Sequence, residues 1–367
     1  MEFFMPSRLL AGAGSVQKSG QRLDKLGKRC LIVTGGSAAK RSGALADVTA
    51  ILDGRRIVYT IFDQITPNPA LADCQKGGRL AAAFGADFVV GIGGGSPLDA
   101  AKAIGVFAAN PEMSEATFYS AEWPAPPLPV VLVGTTAGTG SEVTSVSVLT
   151  DSSGRKHSIH DDRLYAALAL GDARYTMSLP RSVTLSTGID AVAHCVESAF
   201  SKKADRISRL FSAQGVRLAF PVLSAAADDD DLSLTQREQL YEASIFGGLA
   251  INRTGTVFPH NVGYYLTERY HIPHGFACAC LMPDLLDHVG RCAPDMAQGF
   301  YAEAGITEAA LRDLLYKCLP PLEAAATEEE LREALPRWRS NGSVQNTVGA
   351  VDEEQIFSVL RKLLVSA

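Results

Sequence analysis

Three histidines lie close together in one stretch of the sequence, residues 258–279, FPHNVGYYLTERYHIPHGFACA. They are His260, His271 and His274, set among small and aromatic residues. Imidazole nitrogen is the commonest protein ligand of catalytic transition metals. The stretch therefore raises the hypothesis of a metal site, which needs further ligands from elsewhere in the chain.

A second motif, GIDAVAHCVESAF, places Asp190 and His194 four residues apart. Residues at i and i+4 share one face of a helix, so this carboxylate and this imidazole can bind the same ion. Two ligands hold a catalytic metal poorly, and the two motifs together supply a fuller set. Three imidazoles and one carboxylate suit Zn²⁺ or Fe²⁺ and leave a position for a substrate oxygen. We therefore predict one divalent metal, bound by Asp190, His194, His260 and His274.

The remaining histidines and the nearby thiols have simpler interpretations. His288 lies near an acidic helix end, and we expect it to be solvated. Cys278 and Cys280 form a CxC pair beside His274, but thiolates would compete with the histidine and carboxylate set, so we expect them to pack in the core. Three histidines have no partner on the same face and are given no metal role: His157, His160 and His271.

Two polar loops follow predicted buried strands. The segment GIGGGSPLDAAK follows a strand over residues 86–92 and leads into a helix with Pro97 in its first turn, where proline is tolerated. Such a loop can hold a phosphate, because glycines allow close approach and the free N–H groups of the helix start favour an anion. The second loop, residues 135–141, follows a strand over 130–133. Both loops lie at the carboxyl ends of strands, where open α/β sheets bind ligands.

The pattern of strands and helices predicts two domains. Alternating strands and helices in the first half indicate a parallel sheet covered by helices on both faces. From about residue 182 the periodicity is helical. We predict an α/β domain over residues 1–179, which the resemblance described below implies to be dinucleotide-binding, and an α-helical metal-binding domain over 180–367. Residues 1–30 are predicted to form a strand, a Gly turn at 11–14 and a helix. The further predicted strands cover 29–34, 56–62, 86–92 and 130–133, with a hairpin of 145–149 and 156–160; the further predicted helices cover 40–52, 73–84, 97–108, 182–200, 203–226, 235–251, 307–318, 327–335 and 353–365.

The composition bounds the partners and the location. The chain has 367 residues, of which 47% are hydrophobic, as is typical of a globular protein. Its net charge of −6 argues against a nucleic-acid binder. No apolar run is long enough to span a membrane, and the amino terminus does not resemble a signal peptide. The acidic run at residues 228–231 is interpreted as a solvated turn. Seven cysteines cannot all pair, so we expect free thiols and a cytoplasmic protein.

Four motifs in this order resemble the iron-containing (group III) alcohol dehydrogenases: GGGSPLDAAK, TTAGTGSEVT, GIDAVAHCVES and PHNVGYYLTERYHIPHGFACA. The resemblance covers nearly the whole chain. It implies a Rossmann-like domain followed by a helical domain, a dehydroquinate synthase-like architecture with the site in the cleft between them. It also implies hydride transfer between NAD(P)H and a small aldehyde or ketone, with Fe²⁺ or Zn²⁺, in a homodimer or larger homo-oligomer.

The resemblance also implies roles for individual residues. The family's metal ligands fall on the four residues named above. An acidic residue near the nicotinamide falls on Asp99, and a lysine near the nicotinamide ribose falls on Lys156. The pyrophosphate loop and the Thr/Ser-rich cofactor loop fall on Gly94, Gly95, Ser96, Thr135, Thr136, Thr139 and Ser141.

Two positions depart from the family pattern. Many NAD-using members carry an aspartate after the first strand, where this chain has Gly35. Without that carboxylate a 2′-phosphate is not repelled, and Ser37, Lys40 and Arg41 could bind one, so we predict that NADP(H) is accepted. Many members also carry a histidine where this chain has Tyr264. Either the tyrosine hydroxyl takes part in the proton path, or that path runs through metal-bound oxygen, ribose and water alone. The alternative role for Tyr264 is an aromatic wall of the substrate pocket.

Three other functions compete with this interpretation. A glycerol-dehydrogenase-like zinc polyol dehydrogenase would normally use an aspartate and two histidines. A sugar-phosphate cyclase of the dehydroquinate synthase type would need a pocket rich in basic residues and a glutamate among the metal ligands. A metal-stabilised binding protein would bind the ion without turnover.

Overall fold

The computed structural model describes residues 3–228 and 231–365. They form two compact units. The sheet unit consists of Phe4–Pro180 and Leu232–Tyr241, and the helical unit consists of Phe3 with the described parts of Arg181–Asp231 and Glu242–Ala367. The sequence did not anticipate that the segment 232–241 belongs with the sheet. The acidic run predicted as a turn lies partly outside the described residues.

The sheet unit is built on six parallel strands in the order β1-β8-β5-β4-β2-β3. The sequence predicted five of them, including the first, and missed only the short strand β8, which pairs with β1 at one edge of the sheet. A separate antiparallel hairpin joins β6 to β7. The strands are β1 (Arg8–Ala11), β2 (Arg29–Thr34), β3 (Val58–Phe62), β4 (Phe88–Gly93), β5 (Val130–Gly134), β6 (Val146–Thr150), β7 (Lys156–His160) and β8 (Leu168–Gly171).

Both faces of the sheet are covered, as β2 illustrates. Cys30 and Ile32 pack into the core on one face, and Leu31 and Val33 pack into the core on the other. This is why the strand reads as a continuous apolar run and not as an alternating one. The helices of this unit are α1 (Gly20–Leu23), α2 (Ala38–Arg41), α3 (Ala44–Gly54), α4 (Leu71–Phe84), α5 (Gly95–Ala109) and α6 (Glu115–Tyr119), with 3₁₀ turns at Gln17–Ser19, Ser141–Val143, Asp162–Leu164 and Ala173–Thr176.

The order of the strands fixes where a ligand can bind. The chain runs outward from β2 to β3, then returns past β2 to β4 and continues to β5. The direction of winding therefore reverses between β2 and β4, and open α/β sheets bind ligands beyond the carboxyl ends of such strands. The two predicted loops follow β4 and β5, which are adjacent in the sheet.

The helical unit contains the predicted helices and several that the sequence did not reveal. Prolines at residues 259, 283 and 294 lie in the first turns of α10, α12 and α13, where a missing N–H costs no hydrogen bond. The helices are α7 (Arg181–Ala199), α8 (Arg206–Ala226), α9 (Leu234–Thr254), which begins in the sheet unit, α10 (Phe258–Tyr270), α11 (His274–Ala279), α12 (Met282–Cys292), α13 (Pro294–Ala304), α14 (Glu308–Cys318), α15 (Glu328–Ala334), α16 (Gly342–Asn346) and α17 (Glu353–Leu364), with a 3₁₀ turn at Leu335–Arg337.

Helix α7 is the centre of this unit and is buried over most of its length. Glycines allow other helices to approach it closely. A Cβ at Gly188 would lie 2.6 Å from Leu223 of α8, and one at Gly215 would lie 2.4 Å from the sulfur of Cys195. Close packing against α8 keeps the buried side chains of α7 in fixed positions.

Two general expectations can be compared with the described residues. None of the helices described is long and apolar enough to cross a membrane. All seven cysteines lie in the described part of the chain and are free, as expected. The fold class is confirmed, with a parallel α/β sheet in one unit and helices in the other.

Candidate metal and cofactor sites

Helix α7 supplies three polar side chains to one buried face. Asp190, His194 and Glu197 follow each other at intervals of four and three residues, so they lie above one another along the helix. All three are buried. Burying such groups is costly unless they bind one another, another polar group or an ion.

Helices α10 and α11 bring two histidines to this face. His260 is in the first turn of α10, and His274 is the first residue of α11. Glycines set the distances between these helices. A Cβ at Gly263 would lie 3.1 Å from Ala277 O of α11, and one at Gly275 would lie 1.8 Å from Ser186 O of α7.

Three of the four predicted ligands form one compact group. Asp190, His260 and His274, together with Cys278, each offer a ligand atom, and these atoms all lie within 4.8 Å of one another. The Nε2 atom of His260 is 3.6 Å from Oδ1 of Asp190. The rings of His260 and His274 are nearly perpendicular, with centroids 5.2 Å apart. Nitrogen and oxygen donors at these separations fit a single divalent ion.

His194 lies beside this group. Its ring stacks on that of His260, with centroids 4.6 Å apart and an angle of 26° between the planes. The stack brings the imidazole to the group, and its role as the fourth ligand stays a prediction. Its neighbour Cys195 is fully buried, and burial raises the pKa of this thiol to about 12, which argues against a reactive Cys/His pair.

The thiol of Cys278 lies beside His274. Its sulfur is 3.7 Å from Nδ1 and 3.8 Å from Nε2 of that ring, and it is one of the four groups whose ligand atoms lie within 4.8 Å of one another. The structure therefore brings this thiol to the predicted metal group, and the expectation that it only packs in the core stays a prediction.

Glu197 contacts one ring nitrogen of His260, and Asp190 lies near the other. Its Oε1 is 2.5 Å from Nδ1 of His260, and its Oε2 accepts a 2.8 Å hydrogen bond from the N–H of Val257. The sequence indicated only that Glu197 shares a face with the two ligands of α7. The contact with His260 spans 63 positions, which no local pattern reveals.

The structure also shows where Tyr264, His271 and His288 lie. Tyr264 stacks on His274, with centroids 5.2 Å apart and planes at 23°. His271 ends α10 in a left-handed conformation, with φ of 56°. The expectation for His288 was wrong: its side chain is buried, and Nε2 is 2.8 Å from the carbonyl oxygen of Val348, because a neighbouring loop covers it.

In the sheet unit, the two predicted loops lie side by side. The N–H of Thr135 donates to the carbonyl oxygen of Gly93, at 2.8 Å. A Cβ at Gly94 would lie 3.1 Å from Thr136, and one at Gly95 would lie 2.7 Å from Thr139. These glycines therefore allow the loop after β5 to lie directly against the start of α5.

Asp99 ties α5 to the same loop. Its carboxylate accepts hydrogen bonds from Oγ of Ser141, at 2.6 Å, and from the N–H of Val148, at 3.0 Å. Burial raises the pKa of the Asp99 carboxyl, and the charges of Lys102 and Lys156 oppose this rise. Lys156 begins β7, so the two predicted nicotinamide-side residues are electrostatically coupled.

A buried lysine below this loop was missed. Lys102 is fully buried, and its ammonium donates to Ser141 Oγ at 2.8 Å and to Val146 O at 2.7 Å. Nζ is 3.7 Å from Oδ1 of Asp99. Burial lowers the pKa of Lys102, and the charge of Asp99 opposes this effect. Lys102, the lysine of the GGGSPLDAAK motif, therefore binds the end of the loop after β5 to helix α5 through hydrogen bonds.

A buried carboxylate and phenol lie at the same end of the sheet. The hydroxyl of Tyr241 donates to Oε1 of Glu142, at 2.6 Å. Burial raises the pKa of the Glu142 carboxyl. Side chains at Gly134 and Gly171 would collide with this pair, with a Cβ at Gly134 only 1.8 Å from Oε1 of Glu142. The glycines at the ends of β5 and β8 therefore make room for the pair.

The loop after β2 is shaped by a close approach of the backbone. A Cβ at Gly35 would lie 2.2 Å from the carbonyl oxygen of Ile65, so a side chain at this position requires the backbone to shift. This explains Gly35 without reference to a cofactor. Ser37 precedes the short helix α2 without capping it, and Lys40 and Arg41 are exposed.

Comparison with known proteins finds matches along most of the chain. Residues 6–173 match the family "Iron-containing alcohol dehydrogenase", and residues 184–314 match "Fe-containing alcohol dehydrogenase family, C-terminal". The NAD-dependent methanol dehydrogenase of Bacillus methanolicus is 31% identical over 96% of this chain and 91% of its own length.

Two solved structures are also similar. An iron-containing alcohol dehydrogenase from Thermotoga maritima has a TM-score of 0.91 and 34% identity, covering 99% of each chain. The sulfoacetaldehyde reductase of Bifidobacterium kashiwanohense, in complex with NAD⁺, has a TM-score of 0.86 and 26% identity, covering 100% of this chain and 99% of that one. The architecture is thus the dehydroquinate synthase-like one.

Proposed function

Because this chain belongs to the iron-containing alcohol dehydrogenase family and is a metal- and NAD(P)-dependent alcohol dehydrogenase or aldehyde reductase, we propose that it interconverts small aldehydes and alcohols at a metal held by Asp190, His194, His260 and His274. The observation that carries this proposal is the group of Asp190, His260 and His274, the first two buried and the third half-buried, with ligand atoms within 4.8 Å of one another.

The donor set fits Fe²⁺ or Zn²⁺, since imidazole and carboxylate ligands suit both ions. A divalent ion bound there supplies Lewis-acid polarisation of a carbonyl or alcohol oxygen, and a nicotinamide supplies the hydride. The chain contributes rigid positions for the ligands. Gly263 and Gly275 set the spacing of α10 and α11 against their neighbours, which preorganises the site.

We assign the cofactor to the carboxyl edge of the sheet. The N–H groups at the start of α5 favour the pyrophosphate, and hydroxyls of the neighbouring loop supply further donors. Asp99 and Lys156 are proposed to face the nicotinamide end. The residues proposed for these contacts are Gly94, Gly95, Ser96, Thr135, Thr136, Thr139 and Ser141.

Tyr264 is proposed to serve the proton path. It lies one turn after His260 on α10, and its ring stacks on His274. A phenol so placed can donate or accept a proton through its hydroxyl while the ring stays fixed. The alternative role, a wall of the substrate pocket, uses the same ring but not the hydroxyl.

We further propose that NADP(H) is accepted. The loop after β2 has no carboxylate at Gly35 to repel a 2′-phosphate, and Ser37, Lys40 and Arg41 follow. Guanidinium and ammonium groups bind phosphate through charge-assisted hydrogen bonds. The free thiols agree with a reducing compartment, so we expect a cytoplasmic enzyme, and we expect a homodimer or larger homo-oligomer.

The test is a panel of short aldehydes and of glycerol, assayed with NADH and NADPH after Fe²⁺ or Zn²⁺ is restored to metal-free protein. We expect metal-dependent oxidation of the reduced nicotinamide by aldehydes and loss of this activity in Asp190→Ala and His260→Ala. Preference for glycerol would indicate a polyol dehydrogenase. Bound metal with no net change in the nicotinamide would indicate a cyclase or a binding protein and would overturn the proposal.

A further inference from the structure

Glu197 is fully buried beside the predicted metal group, and we propose that it is a positioning residue that fixes the tautomer and the ring orientation of His260. The proposal rests on the metal site of the proposed function. It assigns a role to a residue that is not itself among the predicted ligands.

Both oxygens of Glu197 are directed to the start of α10. One is 2.5 Å from Nδ1 of His260, and the other accepts the N–H of Val257, the residue before the helix, at 2.8 Å. The side chain therefore holds the helix start and the imidazole together. Neither contact can be lost without leaving a polar group in a buried place.

The chemistry of the contact decides which nitrogen of His260 is available. When this carboxyl is ionised it only accepts hydrogen bonds, and the imidazole then carries its proton on Nδ1. The lone pair is then on Nε2, which is 3.6 Å from Oδ1 of Asp190. The available nitrogen faces the other predicted ligand, as a metal-binding histidine requires.

The spacing on α7 makes this possible. Asp190, His194 and Glu197 share one face, so a single rigid helix presents two predicted ligands and the carboxylate that orients a third. An alternative is that Glu197 only caps α10 through Val257. A capping role predicts a loss of stability but no specific change at His260, and the two roles can therefore be separated.

The substitution Glu197→Gln separates them. An amide has one accepting oxygen, so it can accept the N–H of Val257 only by turning its NH₂ toward Nδ1 of His260. The proton of His260 must then move to Nε2, where it blocks the metal. If the amide instead turns its oxygen to His260, the N–H of Val257 faces a donor, and the start of α10 is strained.

The experiment measures Zn²⁺ affinity of the full chain by competition with a chelator. We expect Glu197→Gln to weaken binding by about 10- to 100-fold. Glu197→Asp keeps an acceptor-only group and should lose less. The nitrogen chemical shifts of His260 should report protonated Nδ1 in the metal-free wild type and protonated Nε2 in Glu197→Gln, a change that a capping role would not produce.

Two controls complete the design. Glu142→Gln removes another buried carboxyl, in the sheet unit, and should leave Zn²⁺ affinity unchanged. His260→Ala should weaken binding at least as much as Glu197→Gln. Normal binding by Glu197→Gln together with loss in His260→Ala would overturn the role of Glu197, whereas normal binding by His260→Ala would overturn the metal site itself. If Glu197→Gln does not fold, the nitrogen chemical shifts of His260 in the metal-free wild type decide: a proton on Nδ1 supports the role of Glu197, and a proton on Nε2 overturns it.

Discussion

Replacing Gly275 with alanine should displace a predicted metal ligand without removing any ligand atom. Gly275 follows His274 in the first turn of α11. A Cβ there would lie 1.8 Å from the carbonyl oxygen of Ser186 and 2.9 Å from Cβ of Asp190. Contacts of real Cβ atoms essentially never fall below 3.0 Å, so α11 and α7 must separate by at least 1.2 Å, the difference between 3.0 and 1.8 Å.

A shift of this size is large for a metal site, where ligand distances are held to about 0.2 Å. His274 moves with α11 away from Asp190, and we expect Gly275→Ala to lose high-affinity Zn²⁺ binding, measured by chelator competition. Overpacking should also lower the free energy of unfolding by about 1–3 kcal/mol, measured by urea denaturation.

The matched control is Gly290→Ala. Gly290 lies within α12, is exposed, and a Cβ there would meet no atom within 4 Å. Alanine should raise the stability by about 0.5–1 kcal/mol and leave metal affinity unchanged. The reasoning is refuted if Gly275→Ala binds Zn²⁺ as tightly as the wild type.

Three further substitutions test the remaining roles. Tyr264→Phe keeps the ring stack and removes the hydroxyl; we expect kcat to fall by about 100-fold, and an unchanged kcat across pH would leave only the pocket-wall role. Lys40→Met should raise KM for NADPH by about tenfold and not KM for NADH, and equal effects on both cofactors would exclude a 2′-phosphate contact. Lys102→Met leaves Asp99 without its buried cation and should lower the free energy of unfolding by about 3–5 kcal/mol, measured by urea denaturation; a change under 1 kcal/mol would show that the ammonium is not an anchor.

Local patterns in the sequence were enough to predict most of the regular elements of the sheet unit. The apolar run of β2 and the Gly-rich start of α5 are signals carried by neighbouring residues, so strand, loop and helix could be read in order. Strand β8 was missed because its four residues are too few for a pattern. It becomes a strand only by pairing with β1 and β5.

The helices from residue 258 to 304 were harder to predict, since each is short and three carry a proline in the first turn. Proline usually signals a break, and only its place in the first turn makes it compatible with a helix. We identified the histidines of α10 and α11 as candidate ligands because imidazole commonly binds metals, and not from a predicted helix. Their convergence depends on glycines that let the helices touch, which the sequence does not reveal.

Contacts between distant residues account for the rest. The carboxylate of Glu197 meets a histidine 63 positions away, and Lys102 holds a loop about forty positions further on. From the sequence, we interpreted Gly35 only as the absence of a carboxylate that would repel a 2′-phosphate. The structure adds a steric reason for glycine at this position, because a side chain would collide with the carbonyl oxygen of Ile65. The burial of His288 likewise depends on a loop that is 60 positions away in the sequence but adjacent in space.

The central claim is that four side chains bind one metal ion, and anomalous diffraction from crystals of the Zn²⁺-loaded protein tests it most directly. We predict a single strong peak within about 2.0–2.2 Å of the Asp190 carboxylate and of one ring nitrogen each of His194, His260 and His274. A peak coordinated by other residues, or no peak near Asp190 in crystals of metal-saturated protein, would contradict it.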